Sequence, residues 1–481
     1  MSDRYLIGID LGTTQTKTGL IGADGRLLRL GYGTYPIHTE DGPGCAEQDP
    51  DDWWRAICNT LKEVVQDIDP SEVAAICVSG QGPTVVMTDA DARPLSNAVT
   101  WMDGRASTEA EVLSQRLGSP VSPFSFLPKA MWIKTHHPEA YQRATWFLPA
   151  WDYIAFRLSG QAVVSSSGTQ QAFPQDQMEA AGLNPKLSAP AAAIGKPIGK
   201  LTAAASRDTG MPQGILVVAG VSDGMGTFIG SGLTKSGRTV DTGGTSGGLG
   251  LCWHEPLEAP GILSGPGILP DQFIAGGAMN GLGKALDWFL EVFEDPSVSH
   301  TDLIERAQRI QAGADGLIFL PYLAGERSPI WDPKARGVFI GLSLQHNRDH
   351  LARAVLEASA YAIRQIAQSL LDAGGEISEV RVCGGQAQSD VISQIKADVL
   401  GLPVAVPRVT ECALMGAAVL AGVGAGLFPD IASSSEKMVQ IKKSMQPDPD
   451  LHERYSEMYS IYERLYPALQ ETFHQLSDIV H

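Results

Sequence analysis

Two short passages rich in glycine and threonine, about half a chain apart, constrain the fold more than any other feature. The first, DLGTTQTK at residues 10–17, follows the apolar run YLIGI and precedes the apolar run TGLIG. The second, DTGGTSG at residues 241–247, follows RTV and precedes GLGLCW. Apolar runs joined by such turns predict β-hairpins. Their separation suggests an internal duplication of the chain.

Strands alternate with helices along the rest of the sequence. Residues 73–79 (VAAICVS) and 215–219 (ILVVA) are strand-like apolar runs. Residues 349–371 carry apolar side chains at steps of three and four, which predicts a long amphipathic helix. This alternation indicates the α/β class. The best boundary lies near GLTKSGR, so we expect an N-terminal domain of residues 1–235 and a C-terminal domain of residues 236–481.

Charge and composition exclude several kinds of partner. The net charge of −18 argues against binding to nucleic acid or anionic membrane, because both need clustered Lys and Arg. No apolar run reaches the roughly 20 residues of a membrane span, and the N-terminus lacks a signal layout, so we expect a cytoplasmic protein. The scattered cysteines, with no CxxC pair, are expected to be reduced core residues: Cys45, Cys58, Cys77, Cys252, Cys383 and Cys412.

The first glycine-rich passage has the composition of a phosphate cradle. Glycine allows a sharp turn that aims backbone N–H groups at phosphate oxygens, and Thr13, Thr14 and Lys17 add donors. Asp10, at the strand end, can hold Mg²⁺ through water. An ordinary β-hairpin without a ligand is the alternative interpretation of this segment.

The second passage repeats the design with Gly243, Gly244 and Thr245. It also matches GxSxG, the nucleophile elbow of hydrolases, but the elbow is followed by a helix, whereas LGLCW is typical of a strand. Neither a GxxxxGK[ST] P-loop nor a strand-coupled GxGxxG is present, so P-loop and Rossmann nucleotide binding are disfavoured. The two hairpins therefore need another explanation.

They resemble the paired phosphate loops of the superfamily that contains sugar kinases, heat-shock ATPases and actin. Residues 337–342 (GVFIGL), followed after seven residues by 350–357 (HLARAVLE), are similar to the C-terminal signature of the FGGY carbohydrate kinases. Residues 325–336 (GERSPIWDPKAR) resemble the segment before that signature, and 384–389 (GGQAQS) resembles the adenosine-binding stretch. The N-terminal signature is partly matched by Lys129-Ala-Met-Trp132-Ile.

This resemblance implies two actin-like (ribonuclease H-like) domains that close around ATP and a small sugar, with Mg²⁺. It adds Gly384, Gly385 and Ser389 to the ATP-binding residues and makes Asp223 the general base. A carboxylate is suited to that role, because it is ionised at neutral pH and can accept the proton of the attacking hydroxyl. A homodimer is expected from the family alone.

Sugar-binding residues are expected in the N-terminal half, where amide, carboxylate, guanidinium and indole groups follow strand-like runs. The candidates are Gln81, Gly82, Pro83, Trp101, Asp103, Arg105 and Asp152. The WxDxR stretch is similar to that of xylulose kinases, which typically carry Met-His where this chain has Gly82-Pro83.

The leading hypothesis is transfer of the γ-phosphoryl group of ATP to D-xylulose or another ketopentose, with Asp223 as base and Asp10 organising Mg²⁺. Kinases of ribulose, glycerol, erythritol or gluconate stay open, because the missing imidazole removes a partner for a sugar hydroxyl. A regulatory or chaperone-like ATPase of the same fold is the alternative from another class. Sugar-dependent formation of ADP distinguishes the two classes.

Overall fold

The computed structural model describes residues 4–167, 171–244 and 247–480. They form two compact units: unit 1 is Met1–Gly230 with Cys412–Val439, and unit 2 is Ser231–Glu411 with Gln440–His481. The chain thus enters unit 1 twice, whereas the sequence predicts two contiguous domains, 1–235 and 236–481.

The secondary structure alternates as the sequence predicts. The strands are β1 (Tyr5–Leu11), β2 (Gln15–Gly22), β3 (Leu27–Thr34), β4 (Glu47–Gln48), β5 (Val73–Gly80), β6 (Val85–Thr88), β7 (Ala98–Val99), β8 (Trp146–Pro149), β9 (Val164–Ser166), β10 (Ala191–Ala193), β11 (Pro197–Lys200), β12 (Leu216–Ser222), β13 (Arg238–Asp241), β14 (Gly248–Trp253), β15 (Leu263–Pro266), β16 (Phe273–Ala278), β17 (Ile318–Leu320), β18 (Val338–Ile340), β19 (Glu379–Val382), β20 (Val404–Pro407) and β21 (Ile441–Met445). The helices are α1 (Pro50–Val64), α2 (Ser107–Leu117), α3 (Phe126–His136), α4 (Pro138–Arg143), α5 (Ala150–Ser159), α6 (Gln175–Ala180), α7 (Ala203–Thr209), α8 (Asp223–Gly230), α9 (Lys284–Phe293), α10 (His300–Gln308), α11 (Arg348–Asp372), α12 (Asp390–Leu400), α13 (Cys412–Gly424), α14 (Ile431–Met438) and α15 (Pro449–Val480). In the described part of the chain, no helix combines the length and apolarity needed to cross a membrane.

Unit 1 is built on a six-stranded sheet in the order β11-β12-β5-β1-β2-β3. β1 and β2 form the first predicted hairpin, and β5 and β12 run parallel to β1. These central strands are buried on both faces because helices cover them, which explains their continuous apolar runs. A second sheet, in the order β4-β7-β6-β8, lies in the same unit.

Helix α13 explains why the chain returns to unit 1. It is almost wholly apolar and lies across β1, where a Cβ on Gly8 would stand 2.3 Å from the Leu414 carbonyl oxygen. It also contacts α8 backbone to backbone: a Cβ on Gly416 would meet the Gly226 oxygen at 2.0 Å, and one on Gly230 the Cys412 oxygen at 1.9 Å. Glycine is required at these positions, and the close contact fixes the helix that begins at Asp223.

Unit 2 is built on a seven-stranded sheet in the order β15-β16-β14-β13-β19-β20-β21. β13 and β14 form the second predicted hairpin, and β19 runs parallel to β13. The long helix α11, capped by Asn347, supplies much of the apolar core together with aromatic side chains of α15. The cysteines of both units are all buried, as predicted.

The two central sheets repeat one plan. Unit 1 has β3-β2-β1-β5-β12-β11, and unit 2 has β16-β14-β13-β19-β20-β21 in the corresponding places. In each sheet the first three strands are antiparallel, the next two run parallel to the third, and the last is antiparallel again. This agreement supports the internal duplication and matches the actin-like, two-domain α/β fold that the sequence predicts.

Candidate active site

Unit 1 contains a cavity of about 620 Å³ near the carboxyl ends of β5 and β12. Its apolar walls are Pro83, Phe126 and Trp151, and its polar walls include Ser165 and Gln171. The volume lies in the range of small-molecule sites, and the mixture of aromatic faces with hydroxyl and amide groups suits a polyhydroxylated ligand.

Asp223 stands in the wall of this cavity at the first residue of α8. The backbone N–H of Gly224 donates to its Oδ1 at 2.8 Å. Burial raises the pKa of the Asp223 carboxyl to about 6, because the charged form loses hydration. The group is therefore mostly ionised at neutral pH but is a better base than a fully hydrated aspartate.

The Gly82-Pro83 turn lies in the same cavity wall, and buried side chains on its other side hold it in place. A Cβ on Gly82 would stand 2.9 Å from the ring of Trp151, so no larger residue fits beside that indole. The buried Lys129 ammonium donates to the Pro83 carbonyl oxygen at 2.8 Å. Burial lowers the pKa of Lys129 to about 7. The structure thus brings Gly82, Pro83 and Asp223 together in one cavity wall.

Asp152 lies behind the cavity rather than in its lining. It is fully buried, and its carboxylate accepts hydrogen bonds from both the N–H and the hydroxyl of Ser165. Burial raises the pKa of Asp152 to about 7. Ser165 does line the cavity, so Asp152 orients a pocket hydroxyl from the second layer.

Gln81 and Trp101 contact the first glycine-rich loop and do not line the cavity. The Gln81 amide donates to Gln48 Oε1 at 2.7 Å, and Gln48 donates in turn to the Thr13 carbonyl oxygen at 2.7 Å. The indole N–H of Trp101 donates to Thr13 Oγ1 at 2.9 Å. These bonds fix the loop relative to the Gly82-Pro83 turn.

Asp103 and Arg105 form an internal ion-pair cluster, also outside the cavity lining. The Arg105 guanidinium contacts the carboxylates of both Asp103 and Glu47 and stacks on Trp132 with 4.0 Å to the ring centroid. Asp103 also accepts the Ala46 N–H at 2.9 Å. One guanidinium thus bridges both carboxylates of this cluster.

The first loop presents backbone and hydroxyl donors at the end of β1. Thr14 is exposed, whereas Thr13 and Lys17 are half-buried. Asp10 is 9% exposed and lies at the strand end where the loop begins. The loop is braced by Tyr35, whose hydroxyl donates to the Gly12 carbonyl oxygen at 2.6 Å.

The second loop, in unit 2, is braced by a buried lysine. Asp241 Oδ1 accepts the Gly243 N–H at 3.0 Å, and its Oδ2 pairs with the ammonium of Lys396. Both Asp241 and Lys396 are fully buried. Gly243 has φ of 51°, so the loop turns sharply there, next to the described Gly244; Thr245 lies outside the described residues.

Gly384 and Gly385 stand beside this loop. A Cβ on Gly384 would lie 2.9 Å from the Thr242 carbonyl oxygen, which excludes other residues. Ser389 begins α12, where its hydroxyl accepts the Ile392 N–H at 3.3 Å. Among the described candidates of unit 2, Gly243 and Gly384 are therefore neighbours, and Ser389 has a capping role.

Sequence reasoning missed several residues of the site. Trp151, Phe126, Ser165 and Gln171 line the cavity, but nothing in their local sequence distinguishes them from core or loop residues. Lys396 was missed as well, because the helix DVISQIKADVL carries other polar residues and nothing in its sequence marks this lysine as buried. An actin-like fold with a carboxylate in the wall of such a cavity is compatible with phosphoryl transfer to an alcohol group.

Comparisons with known proteins give the family. Models of the FGGY family of carbohydrate kinases match residues 5–230 (N-terminal domain) and 241–425 (C-terminal domain). The chain is 29% identical to the xylulose kinase of Bacillus subtilis (strain 168), over 96% of this chain and 97% of that protein. The chain belongs to the FGGY family of carbohydrate kinases, and is an ATP-dependent sugar kinase.

Solved structures agree along the whole chain. Xylulose kinase from Rhodospirillum rubrum is 29% identical with a TM-score of 0.83, covering 98% of this chain and 100% of that chain. Gluconate kinase from Lactobacillus acidophilus is 26% identical with a TM-score of 0.86, covering 99% of this chain and 100% of that chain. Relatives thus include kinases of a neutral sugar and of a sugar acid.

Proposed function

We propose that the cavity of unit 1 binds a neutral ketopentose, D-xylulose before others, and that Asp223 is the general base of its phosphorylation. The observation that carries this proposal is the position of Asp223 in the wall of a cavity whose other lining residues combine hydroxyl and amide groups with aromatic and aliphatic ones. Asp223 accepts the proton of a sugar hydroxyl while the oxygen of that hydroxyl forms a bond to the γ-phosphorus of ATP. The bond from that phosphorus to the bridging oxygen breaks, and ADP leaves.

The charge of the lining favours a neutral substrate over a sugar acid. None of the described residues that line the cavity is Lys or Arg, and the sequence between Ser167 and Gln171, GTQ, adds none. Lys129 is fully buried behind Pro83 and donates to its carbonyl oxygen. A gluconate carboxylate would enter this cavity without a cation beside it and would face the carboxylate of Asp223, at a cost in free energy.

The walls suit the two kinds of surface that a sugar presents. Trp151 and Phe126 offer apolar faces to C–H groups, while Ser165, Ser167 and Gln171 offer donors and acceptors to hydroxyls. Similarity to xylulose kinases supports D-xylulose, and it extends over nearly the whole chain. Ribulose, glycerol and erythritol are the neutral alternatives.

For ATP we propose a phosphate-binding role for both glycine-rich loops. Thr13, Thr14 and Lys17 would supply donors in unit 1, and Gly243 and Gly244 would supply them in unit 2. Gly384, Gly385 and Ser389 would contact the adenosine.

Asp10 fits a magnesium ion by its chemistry, since a carboxylate at a strand end beside a phosphate loop offers the hard oxygen ligand that Mg²⁺ prefers. When bound, Mg²⁺ neutralises charge on the ATP phosphates. Cytoplasmic location and a homodimer remain predictions.

A coupled assay of ADP formation tests the proposal. Wild-type protein with ATP and Mg²⁺ is screened against D-xylulose, D-ribulose, erythritol, glycerol and D-gluconate, beside Asp223→Asn. We expect sugar-dependent ADP formation that is fastest with a ketopentose, and a loss of at least about a hundredfold in Asp223→Asn. Preference for gluconate would refute the neutral substrate, and full activity in Asp223→Asn would refute the base.

A further inference from the structure

The segment GERSP at residues 325–329 is buried in unit 2, although the proposed chemistry gives it no role. Glu326 is 3% exposed and Ser328 is fully buried. Buried charged groups are retained at a cost, so their hydrogen bonds indicate what they hold in place.

The segment forms hydrogen bonds with residues 278–280, which are the last residue of β16 and the two residues after it. Glu326 Oε1 accepts the Asn280 N–H at 2.7 Å. The Arg327 guanidinium donates to the Met279 carbonyl oxygen at 2.8 Å. The Ser328 N–H donates to the Ala278 carbonyl oxygen at 3.1 Å.

Those residues in turn hold the end of the second glycine-rich loop. The Met279 N–H donates to the Gly247 carbonyl oxygen at 3.3 Å, and Gly248 pairs with Ala278 in the sheet. Gly247 has φ of 77°, and a Cβ there would stand 2.8 Å from the Leu282 side chain. A shift of residues 278–280 would therefore move the loop end.

We propose that Glu326 and Arg327 are positioning residues that set the second phosphate-binding loop through residues 278–280. This inference rests on the proposed role of that loop in ATP binding. In this proposal both side chains act through the backbone of residues 278–280 and do not touch ATP or the sugar. Small displacements of such a loop are costly, since about 1 Å of misplacement can lower the rate about a hundredfold.

The environment of the Glu326 carboxyl group determines which substitutions test its positioning role. Its second carboxylate oxygen, Oε2, has no hydrogen-bond partner among the described residues. Burial raises the pKa of Glu326 to about 7, so a neutral side chain is tolerated there. Glutamine keeps an acceptor for the Asn280 N–H, whereas alanine removes it.

A control is available in the same unit. Glu357 is also a fully buried carboxylate, and its Oε2 lacks a partner among the described residues. Its Oε1 accepts the Gly313 N–H at 2.9 Å, and it also accepts the Arg353 guanidinium at 2.6 Å and the Tyr455 hydroxyl at 2.8 Å. It holds a turn that has no hydrogen bond to the second loop in the described contacts. Glu357→Gln and Glu357→Ala therefore report on general loss of a buried carboxylate.

The experiment measures KM for ATP, KM for the sugar, kcat, and ADP affinity by calorimetry, with thermal unfolding alongside. Glu326→Ala is expected to raise KM for ATP and to weaken ADP binding by about tenfold or more, with KM for the sugar within about twofold. Glu326→Gln should stay within about threefold of wild type. The Glu357 variants should change unfolding but not ADP affinity.

Unchanged ADP affinity in Glu326→Ala, or an equal change in the Glu357 variants, would overturn the inference. If Glu326→Ala does not fold, Arg327→Met decides, because it removes the side-chain bond to the Met279 oxygen, keeps the Glu326 side chain, and should also weaken ADP binding. The ADP titration needs no sugar turnover. Failure of the wild type to phosphorylate any sugar would thus refute the proposed function separately.

Discussion

Replacing Asp223 by Asn is predicted to stabilise the fold while it removes most of the activity. Burial raises the pKa of Asp223 from its usual 3.8 to about 6. The folded state binds this proton more tightly than the unfolded chain does. The stability that results is fully present below about pH 3.8, and it is lost as the pH rises through about 6. Because one pH unit corresponds to about 1.4 kcal/mol, ionisation costs the folded state at most about 3 kcal/mol at pH 8.

Asparagine avoids this cost, since it is neutral and its Oδ1 still accepts the Gly224 N–H. At pH 5 the cost is only about half as large, because the native carboxyl is then mostly protonated. Urea unfolding of wild type and Asp223→Asn should therefore give a gain in free energy of unfolding that is larger at pH 8 than at pH 5 by about 1.4 kcal/mol.

The exposed Asp91, replaced by Asn, serves as the control. This substitution shows how much of any change comes from the loss of an exposed aspartate alone. If Asp223→Asn is less stable than wild type at pH 8, or if its gain is equal at both pH values, then the carboxylate is not held in a desolvating site and the reasoning fails.

Three further predictions concern the same sites. Initial rates from pH 5 to 8 should show kcat/KM for the sugar falling about tenfold per unit below about pH 6, as Asp223 takes up a proton; a flat profile would exclude it as the base. Lys396→Met leaves the Asp241 carboxylate buried and unpaired, so urea unfolding should show a loss of about 3–5 kcal/mol, and an unchanged midpoint would contradict the buried pair. Trp151→Ala removes an aromatic wall of the cavity, so steady-state kinetics should show KM for the sugar rising about tenfold with KM for ATP unchanged; a rise in the ATP value alone would place the sugar elsewhere.

Local patterns in the sequence predicted both hairpins, the strands β5 and β12 and the long helix α11, because apolar runs and helical spacing are properties of neighbouring residues. The return of Cys412–Val439 to unit 1 was not predictable in this way. An apolar helix such as α13 shows only that it is buried, and the matching glycines, Gly416 with Gly226, become neighbours only in three dimensions.

The site was predicted in part for the same reason. Gly82, Pro83 and Asp223 follow strands whose carboxyl ends meet, and the structure places them in one cavity. Asp103 and Arg105 carry the same kinds of groups but satisfy each other inside unit 1. Their sequence gave no sign of this pairing, because an ion pair depends on the folded distance between its groups.

Phosphoryl transfer from ATP to a sugar is tested most directly by identifying the product. Wild-type protein is incubated with ATP, Mg²⁺ and D-xylulose, and the mixture is followed by phosphorus NMR. We expect a phosphomonoester signal, coupled to sugar protons, that grows in step with ADP and is absent with Asp223→Asn. Release of inorganic phosphate with no sugar phosphomonoester, for any sugar of the screen, would contradict it.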